Sequence, residues 1–177
     1  MPNWQRVMEE IGAHQRAYAE QSAVAQREVT VAADKIRHKY LGLLHARTGR
    51  NVIAYYSAWL SKGQPQFAGE TSISDEDKNG FMMAVHGLDR TLGLDLFLHT
   101  PGGGVQAAHS IVTYLRQMFG PNIRAVVPQI ALSAGTMIAC CCRSILLAKH
   151  SSLGPIDPQL RGIPAAGVIE EFDRAAR

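Results

Sequence analysis

The fold is decided by residues 94–104, which read LDLFLHTPGGG. The first six residues are mostly apolar, as in a strand that is buried on both faces of a parallel sheet. Three glycines end the stretch, and residues 105–119 then show the apolar spacing of an amphipathic helix that closes at Gly120. A strand, a glycine turn and a helix in this order predict a βα unit.

The same alternation continues on both sides of this unit. Residues 123–128 predict the next strand, 133–142 a helix and 144–148 another strand. Towards the N-terminus, residues 51–57 read NVIAYYS and predict the first strand, and a helix with a capping box begins at Ser74. Strands that alternate with helices predict an α/β fold with a mainly parallel sheet.

The N-terminal segment has a different character. Residues 4–47 contain no proline and two glycines, and their apolar residues recur at helical spacing, so they predict one or two helices with a break at 29–31. We therefore expect a helical arm at 1–47 and the α/β domain at 48–177. Residues 1–50 carry eight Lys/Arg and five Asp/Glu. Because glutamates interrupt the basic residues, we expect no nucleic-acid partner.

The composition is that of a globular protein, with 46% hydrophobic and 19% charged residues. The three cysteines are consecutive, at 140–142, so they predict neither a disulfide framework nor a metal site, but reduced core residues. No motif calls for a cofactor. Because there is no apolar stretch long enough for a membrane span and no secretory signal, we expect a cytoplasmic protein.

Two turns carry the residues that suggest chemistry. Ser133 lies in the run IALSAGT between a predicted strand and helix, where it is either a helix cap or a nucleophile. The Ala134 N–H at the helix start can hold a developing negative charge. Gly102–Gly104 form either a simple turn or a loop whose N–H groups bind an anion. Both turns follow parallel strands, so they meet at one edge of the sheet, where such folds bind ligands.

Three known motifs do not fit. The glycine run lacks the third glycine of a dinucleotide site and the Gly-Lys-Ser/Thr ending of a phosphate loop. Ser133 does not lie in a Gly-x-Ser-x-Gly elbow, which disfavours an α/β-hydrolase.

Three segments in order resemble the serine dehydrogenase proteinase family: 96–104, 127–136 and the predicted loop 153–159, which reads LGPIDPQ. That family is similar to the Clp protease proteolytic subunit and to signal peptide peptidase A, within the Clp/crotonase superfamily. The resemblance covers the chain from about Lys39 onward. It implies a Clp/crotonase-like spiral of ββα units with a mainly parallel sheet, preceded here by the N-terminal helical arm.

The resemblance also implies an activity. It implies a self-assembling serine peptidase that hydrolyses protein or peptide substrates through an acyl-enzyme on Ser133. The implied oxyanion hole consists of the Gly103 and Ala134 N–H groups, with Gly102 in the same loop. We therefore expect a homo-oligomer without cofactor or metal.

The general base is the open part of this interpretation. His150 and Lys149 are candidates, and Asp157 is a candidate orienting residue, although the first two also fit a polar loop and Asp157 also fits a turn cap. His99, at the end of a predicted strand, is either structural or part of the site. Because the family is longer than this chain, a base beyond Arg177 is a further expectation.

Two other functions share the fold. A crotonase-type acyl-CoA enzyme would use the same pair of N–H groups to stabilise an enolate and needs no serine nucleophile. An inactive assembly scaffold is the other alternative, because no histidine or lysine stands where the relatives have their base.

Overall fold

The computed structural model describes residues 4–18, 23–58, 71–156, 159–160 and 163–176. The chain divides into two compact units, residues 1–49 and 50–177.

The first unit consists of two helices, α1 (Trp4–Tyr18) and α2 (Ala23–Thr48). They are joined by Glu10, whose carboxylate accepts hydrogen bonds from Lys39 Nζ at 2.9 Å and from the Tyr40 hydroxyl at 2.5 Å. The helical character of this segment is confirmed. The predicted break at 29–31 is wrong, because α2 runs through it. The low helix propensity of β-branched residues costs at most about 0.7 kcal/mol each, which does not end a helix.

The second unit contains β1 (Asn51–Tyr56), α3 (Asp75–Val85), β2 (Leu94–His99), α4 (Val105–Phe119), β3 (Ile123–Val127), β4 (Ile130–Ala131), α5 (Ala134–Cys140), β5 (Ser144–Leu147), β6 (Ser152–Leu153), β7 (Gln159–Leu160), β8 (Ile163–Pro164) and α6 (Ala165–Ala175). A short 3₁₀ helix at Arg90–Leu92 precedes β2. Strands β1, β2, β3 and β5 form a parallel sheet in that order. The prediction of an α/β fold with a mainly parallel sheet and N-terminal helices is confirmed.

Strand β2 lies inside this sheet and explains why its sequence is so apolar. Leu94, Leu96 and Leu98 are fully buried, and they belong to the same core cluster as Ile111 and Leu115 of α4. Because side chains alternate along a strand, Asp95 and its alternate neighbours lie on the other face of the sheet. An apolar strand paired on both sides therefore anchors the loop that follows it.

Two short pairings extend this framework. Strand β4 pairs with β6 in parallel, and β7 pairs with β8 in antiparallel orientation. The predicted loop 153–159 is therefore wrong in part, since its first residue belongs to β6 and its last to β7. Two-residue strands carry no periodicity that a sequence pattern can reveal.

The expectation that the cysteines are core residues is wrong for Cys140 and Cys141, whereas Cys142 packs against the core cluster. Cys140 and Cys141 are exposed and Cys142 is half-buried, and all three are free thiols. The reason is that α5 ends at Cys140, so the following residues turn at the surface before β5 begins. Within the described part of the chain, no helix is long and apolar enough to cross a membrane.

Candidate active site

Ser133 stands at a sharp turn between β4 and α5. Its backbone has φ 50° and ψ −118°, and it is the one non-glycine residue with positive φ among the described residues. Such a conformation costs about 1–3 kcal/mol and persists where the surrounding structure enforces it. Here the Gly135 N–H bonds the Leu132 carbonyl at 2.8 Å, and the Met137 N–H bonds the Ser133 carbonyl at 3.1 Å. The strain marks Ser133 as a functional candidate.

The hydroxyl of Ser133 does not act as a helix cap. No side-chain cap bond forms at the start of α5, and within the described residues the hydroxyl has no hydrogen-bond partner. The sequence left two roles open for this serine, helix cap and nucleophile. The geometry does not support the helix cap.

Small residues after Ser133 allow α5 to begin against the end of β2. A side chain on Gly135 would bring its Cβ to 2.5 Å from Cγ2 of Thr100, and Ala134 is fully buried. Thr136 then fixes the first turn, because its hydroxyl bonds the carbonyls of Ala131 at 2.7 Å and Gly154 at 2.9 Å. The serine turn is thus held from both sides.

The glycine loop touches the serine turn directly. A Cβ on Gly102 would lie 2.8 Å from Cβ of Ser133 and 2.7 Å from the Leu132 carbonyl oxygen, so a side chain is excluded there. Gly102 also has φ 105°, which favours glycine. Its N–H donates to the Thr100 hydroxyl at 3.1 Å, so this N–H is already engaged.

Backbone bonds between Thr100 and β4 bring the two turns together. The Thr100 N–H donates to the Ile130 carbonyl at 3.2 Å, and the Leu132 N–H donates to the Thr100 carbonyl at 3.1 Å. The glycine loop and the serine turn therefore start from adjacent, hydrogen-bonded residues at one edge of the sheet.

Several backbone N–H groups at these turns form no hydrogen bond among the described residues, and two of them are the candidate oxyanion donors of the sequence interpretation. The N–H groups of Gly103 and Ala134 have no hydrogen-bond partner within the described part of the chain. Ala134 is buried at the start of α5, where the N–H is ordinarily unpaired, and Gly103 is half-buried. Both donors are therefore available to an external acceptor. A developing oxyanion is an acceptor of this kind.

Gly103 is held from the other side by Ile73. The Ile73 N–H donates to the Gly102 carbonyl at 2.9 Å, and the Gly104 N–H donates to the Ile73 carbonyl at 2.8 Å. A Cβ on Gly103 would lie 2.2 Å from the Ile73 nitrogen, so glycine is required. The sequence interpretation missed both Ile73 and Thr100. Thr100 directly precedes the glycine loop, which is a usable signal, whereas nothing in the sequence marks Ile73.

His150 and Lys149 occupy an exposed turn after β5. The Ser151 N–H bonds the Ala148 carbonyl at 3.0 Å, and the Ser151 hydroxyl accepts from the Ala148 N–H at 2.9 Å. Across the described residues neither candidate base makes a hydrogen bond or ion pair, to Ser133 or to any other side chain. Asp157 lies outside the described residues.

The segment before Asp157 runs beside the serine turn. The Gly154 N–H donates to the Ala131 carbonyl at 3.2 Å, and a Cβ on Gly154 would lie 2.6 Å from Cδ2 of Leu132. The third of the three sequence motifs therefore contacts the second one.

His99 is the last residue of β2 and is half-buried, directly before Thr100. Burial lowers the pKa of its imidazole below the usual value, so the neutral form is favoured. Its carbonyl accepts the Ser57 N–H at 2.8 Å. Among the described residues, no group of three or more histidines, cysteines or acidic residues could hold a metal ion.

A parallel sheet with a strained serine and a glycine loop at one edge is the arrangement that the resemblance to ClpP-like serine proteinases leads us to expect. Residues 30–176 match the model of the family described as ClpP-like SDH-type serine proteinase, so the chain belongs to that family. The resemblance carried by the three sequence motifs is confirmed, and the match begins at residue 30 rather than near Lys39.

Individual relatives are more distant. The uncharacterized proteins MJ0137 and MJ1495 of Methanocaldococcus jannaschii are 34% and 31% identical over 102 residues, which is 58% of this chain and 35% of each relative. The chain thus spans about a third of the length of these curated relatives. The ClpP protease catalytic domain from Plasmodium falciparum is similar with a TM-score of 0.38 and 12% identity, covering 54% of this chain and 53% of that one.

Proposed function

We propose that the protein is a serine peptidase that hydrolyses peptide bonds in protein or peptide substrates, with Ser133 as its nucleophile. The observation that carries the proposal is the strained Ser133 in contact with Gly102. Among the described residues its hydroxyl and the nearby N–H groups of Gly103 and Ala134 have no hydrogen-bond partner. Membership of a serine-proteinase family supports it.

The reaction follows from these groups. Ser133 Oγ attacks the carbonyl carbon of the scissile bond while a base takes its proton, and the carbonyl oxygen becomes an oxyanion. The N–H groups of Gly103 and Ala134 donate to that oxyanion, and each such donor is worth a factor of about 10²–10³ in rate. The C–N bond then breaks, the amine leaves with the proton, and water hydrolyses the Ser133 ester to release the acid.

The base is proposed to be His150 or Lys149, with Asp157 as orienting residue. A base has to come within hydrogen-bond reach of the Ser133 hydroxyl, and such bonds often form only when substrate is bound. Replacing each candidate by alanine tests this assignment. The true base is identified by a large loss of Ser133 reactivity, and if both variants react normally neither residue is the base.

A fluorophosphonate probe tests the nucleophile. We expect one label per chain, located on Ser133 by mass spectrometry, and no label on Ser133→Ala. Ser144→Ala, which changes an exposed serine of β5, is the matched control and should label normally. A correctly folded wild-type protein that takes no label, as an inactive scaffold would, contradicts the proposal.

A crotonase-type acyl-CoA enzyme is the less favoured function. It would need a glutamate as acid/base, but Glu76, Glu170 and Glu171 are exposed on α3 and α6, and none lies beside a sequence motif. The fourth candidate, Glu70, lies outside the described residues. Coenzyme A thioesters are therefore expected to leave the thermal unfolding temperature unchanged. A clear stabilisation by them would favour the acyl-CoA function instead.

Self-assembly and a cytoplasmic location belong to the same proposal. On α6, Ile169 and Phe172 expose 63% and 72% of their surface, and large exposed apolar side chains on one helix support a contact between copies. Sedimentation of the wild type against Phe172→Asp tests it, since only a contact through α6 makes the variant smaller. The three free thiols support a reducing compartment.

A further inference from the structure

The proposed oxyanion loop, Gly102–Gly104, is hydrogen-bonded to a short segment that precedes α3. Ile73 bonds Gly102 and Gly104 through its own N–H and carbonyl, at 2.9 and 2.8 Å. These bonds flank Gly103 and leave its N–H unpaired within the described residues. The Ile73 side chain is 2% exposed and lies in the core cluster. The position of the Gly103 donor therefore depends on where Ile73 sits.

Ile73 is fixed in turn by the capping box of α3. Ser74 is the N-cap residue, and its N–H donates to Oδ2 of Asp77 at 2.7 Å. The Ser74 hydroxyl donates to the same oxygen at 3.4 Å. The carboxylate thus fixes the residue that directly follows Ile73.

The same carboxylate oxygen also joins α3 to the sheet. The Tyr55 hydroxyl of β1 donates to Asp77 Oδ2 at 3.1 Å, and the Tyr55 ring stacks on Phe81 of α3 at 5.5 Å. Burial and the Asp77 charge raise the pKa of Tyr55, so the phenol keeps its proton and remains a donor. A continuous chain of contacts therefore runs from β1 to the oxyanion loop.

We propose that Asp77 is a positioning residue for the oxyanion hole, acting through Ser74 and Ile73 on the N–H of Gly103. This inference rests on the proposed serine-peptidase function. Displacements of about 1 Å at a catalytic donor are enough to lower a rate by about 10²-fold, so an anchor outside the site can matter for the chemistry.

A cavity beside the capping box allows the effect of Asp77 on the position of the loop to be distinguished from its effect on the stability of the fold. Tyr55, Ser74 and Asp77 line an open space of about 480 Å³. If the carboxylate is removed, water can enter this space and satisfy the Ser74 N–H, so the fold keeps most of its stability. The water does not reproduce the fixed link to β1, so the loop loses its exact placement.

The test is the rate of fluorophosphonate inactivation, separated into kinact and KI. For Asp77→Ala we expect kinact to fall about 10- to 100-fold, less than deletion of a whole donor, with KI within about twofold. Asp77→Asn should recover much of the rate, because the amide oxygen still accepts the Ser74 N–H. Tyr55→Phe, a milder variant, should lose about threefold, as one neutral-to-charged hydrogen bond is removed and two remain.

Asp75→Ala is the matched control. It removes the same charge from the first turn of the same helix, but Asp75 is exposed and outside the capping box, so its kinact should equal that of the wild type. An unchanged kinact in folded Asp77→Ala, or an equal loss in Asp75→Ala, overturns the inference while Ser133 labelling still stands. If Asp77→Ala does not fold, an unchanged kinact in Tyr55→Phe overturns it. A wild type that takes no label refutes the proposed function and this inference with it.

Discussion

The two ends of the four-stranded sheet are built in opposite ways. At the amino end, the buried Asp95 accepts hydrogen bonds from Arg50 Nε at 2.6 Å and from Arg124 at 3.0 and 2.5 Å. Arg50 also donates to the Asn122 side chain at 2.7 Å. These four side chains join the starts of three strands, and each has its partners within the protein.

At the carboxyl end, polar groups are left without partners. The Ser133 hydroxyl and the N–H groups of Gly103 and Ala134 make no hydrogen bond within the described residues, and Ser133 keeps a strained backbone. The strained backbone of Ser133 costs free energy rather than stabilising the fold.

The difference shows how one sheet separates stability from reactivity. Satisfied ion pairs at the amino end fix the strands, and the strands then hold strained turns at the other end. Departures from ordinary backbone geometry and hydrogen-bond pairing that are confined to one edge of a fold are expected at functional sites. Substitutions at the two ends should therefore have different consequences, one in unfolding and one in Ser133 reactivity.

Asp95→Ala should give the largest effect, at the amino end. It leaves Arg50 and Arg124 without their buried counter-charge, which costs about 3–5 kcal/mol in the free energy of unfolding. Urea denaturation measures this loss. The control Asp89→Ala, at an exposed 3₁₀ cap, should lose much less stability. If Ser133 is labelled more slowly in folded Asp95→Ala than in the wild type, stability and reactivity are not separated between the two ends of the sheet.

Gly103→Ala is the counterpart at the carboxyl end. Its Cβ would overlap the Ile73 backbone at a φ of 154°, so the loop has to move and the N–H donor with it. We expect fluorophosphonate labelling to slow by about 10²–10³-fold, or roughly 3–4 kcal/mol. Gly104→Ala has more space, 3.4 Å from the Ile73 carbonyl oxygen, and should change the rate by about twofold at most. Equal rates for both variants would remove Gly103 from the oxyanion hole.

Some features of the two ends of the sheet can be predicted from the sequence, and others cannot. The α/β order, strand 94–99 and helix 105–119 agree with the structure residue for residue, because a buried apolar strand and an amphipathic helix each leave a periodic pattern. The site turns could be located too. The glycines alone also fit a simple turn and the serine alone a helix cap, but the two features together follow consecutive predicted parallel strands. Their contact follows from parallel strands that end at one edge.

The supporting residues could not be predicted for physical reasons. Ile73 acts through its backbone, which any residue except proline supplies, so its identity carries no signal. The Asp95 cluster joins residues 45 and 29 positions apart in the sequence, and only the strand register brings them together. The base remains a prediction, because spacing alone does not tell which polar loop approaches Ser133.

Thr136→Val should have an intermediate effect that reaches both properties. The Thr136 hydroxyl bonds the carbonyls of Ala131 and Gly154 just behind the serine turn, and valine leaves one of them unpaired. We expect the free energy of unfolding, measured by thermal denaturation, to fall by about 1–3 kcal/mol. Fluorophosphonate labelling should also slow, but by a smaller factor than in Gly103→Ala. Thr113→Val, on the exposed side of α4, is the control and should change neither. An unchanged labelling rate in Thr136→Val would mean that the turn holds its shape without this bond.

The smallest effect is expected from His99, which lies on the same strand as Asp95 but at the site end. Burial lowers its pKa in the folded state, so below about pH 6.5 the unfolded chain binds more protons at this residue than the folded protein does. This contribution to stability is complete above pH 6.5 and is lost as the pH falls through the window between 6.5 and the lowered pKa. His99→Gln should therefore flatten the pH dependence of the free energy of unfolding in this window. If the free energy of unfolding of His99→Gln depends on pH as steeply as that of the wild type, burial of His99 does not make stability depend on its protonation. In that case only the strained turns distinguish the carboxyl end of the sheet from the amino end.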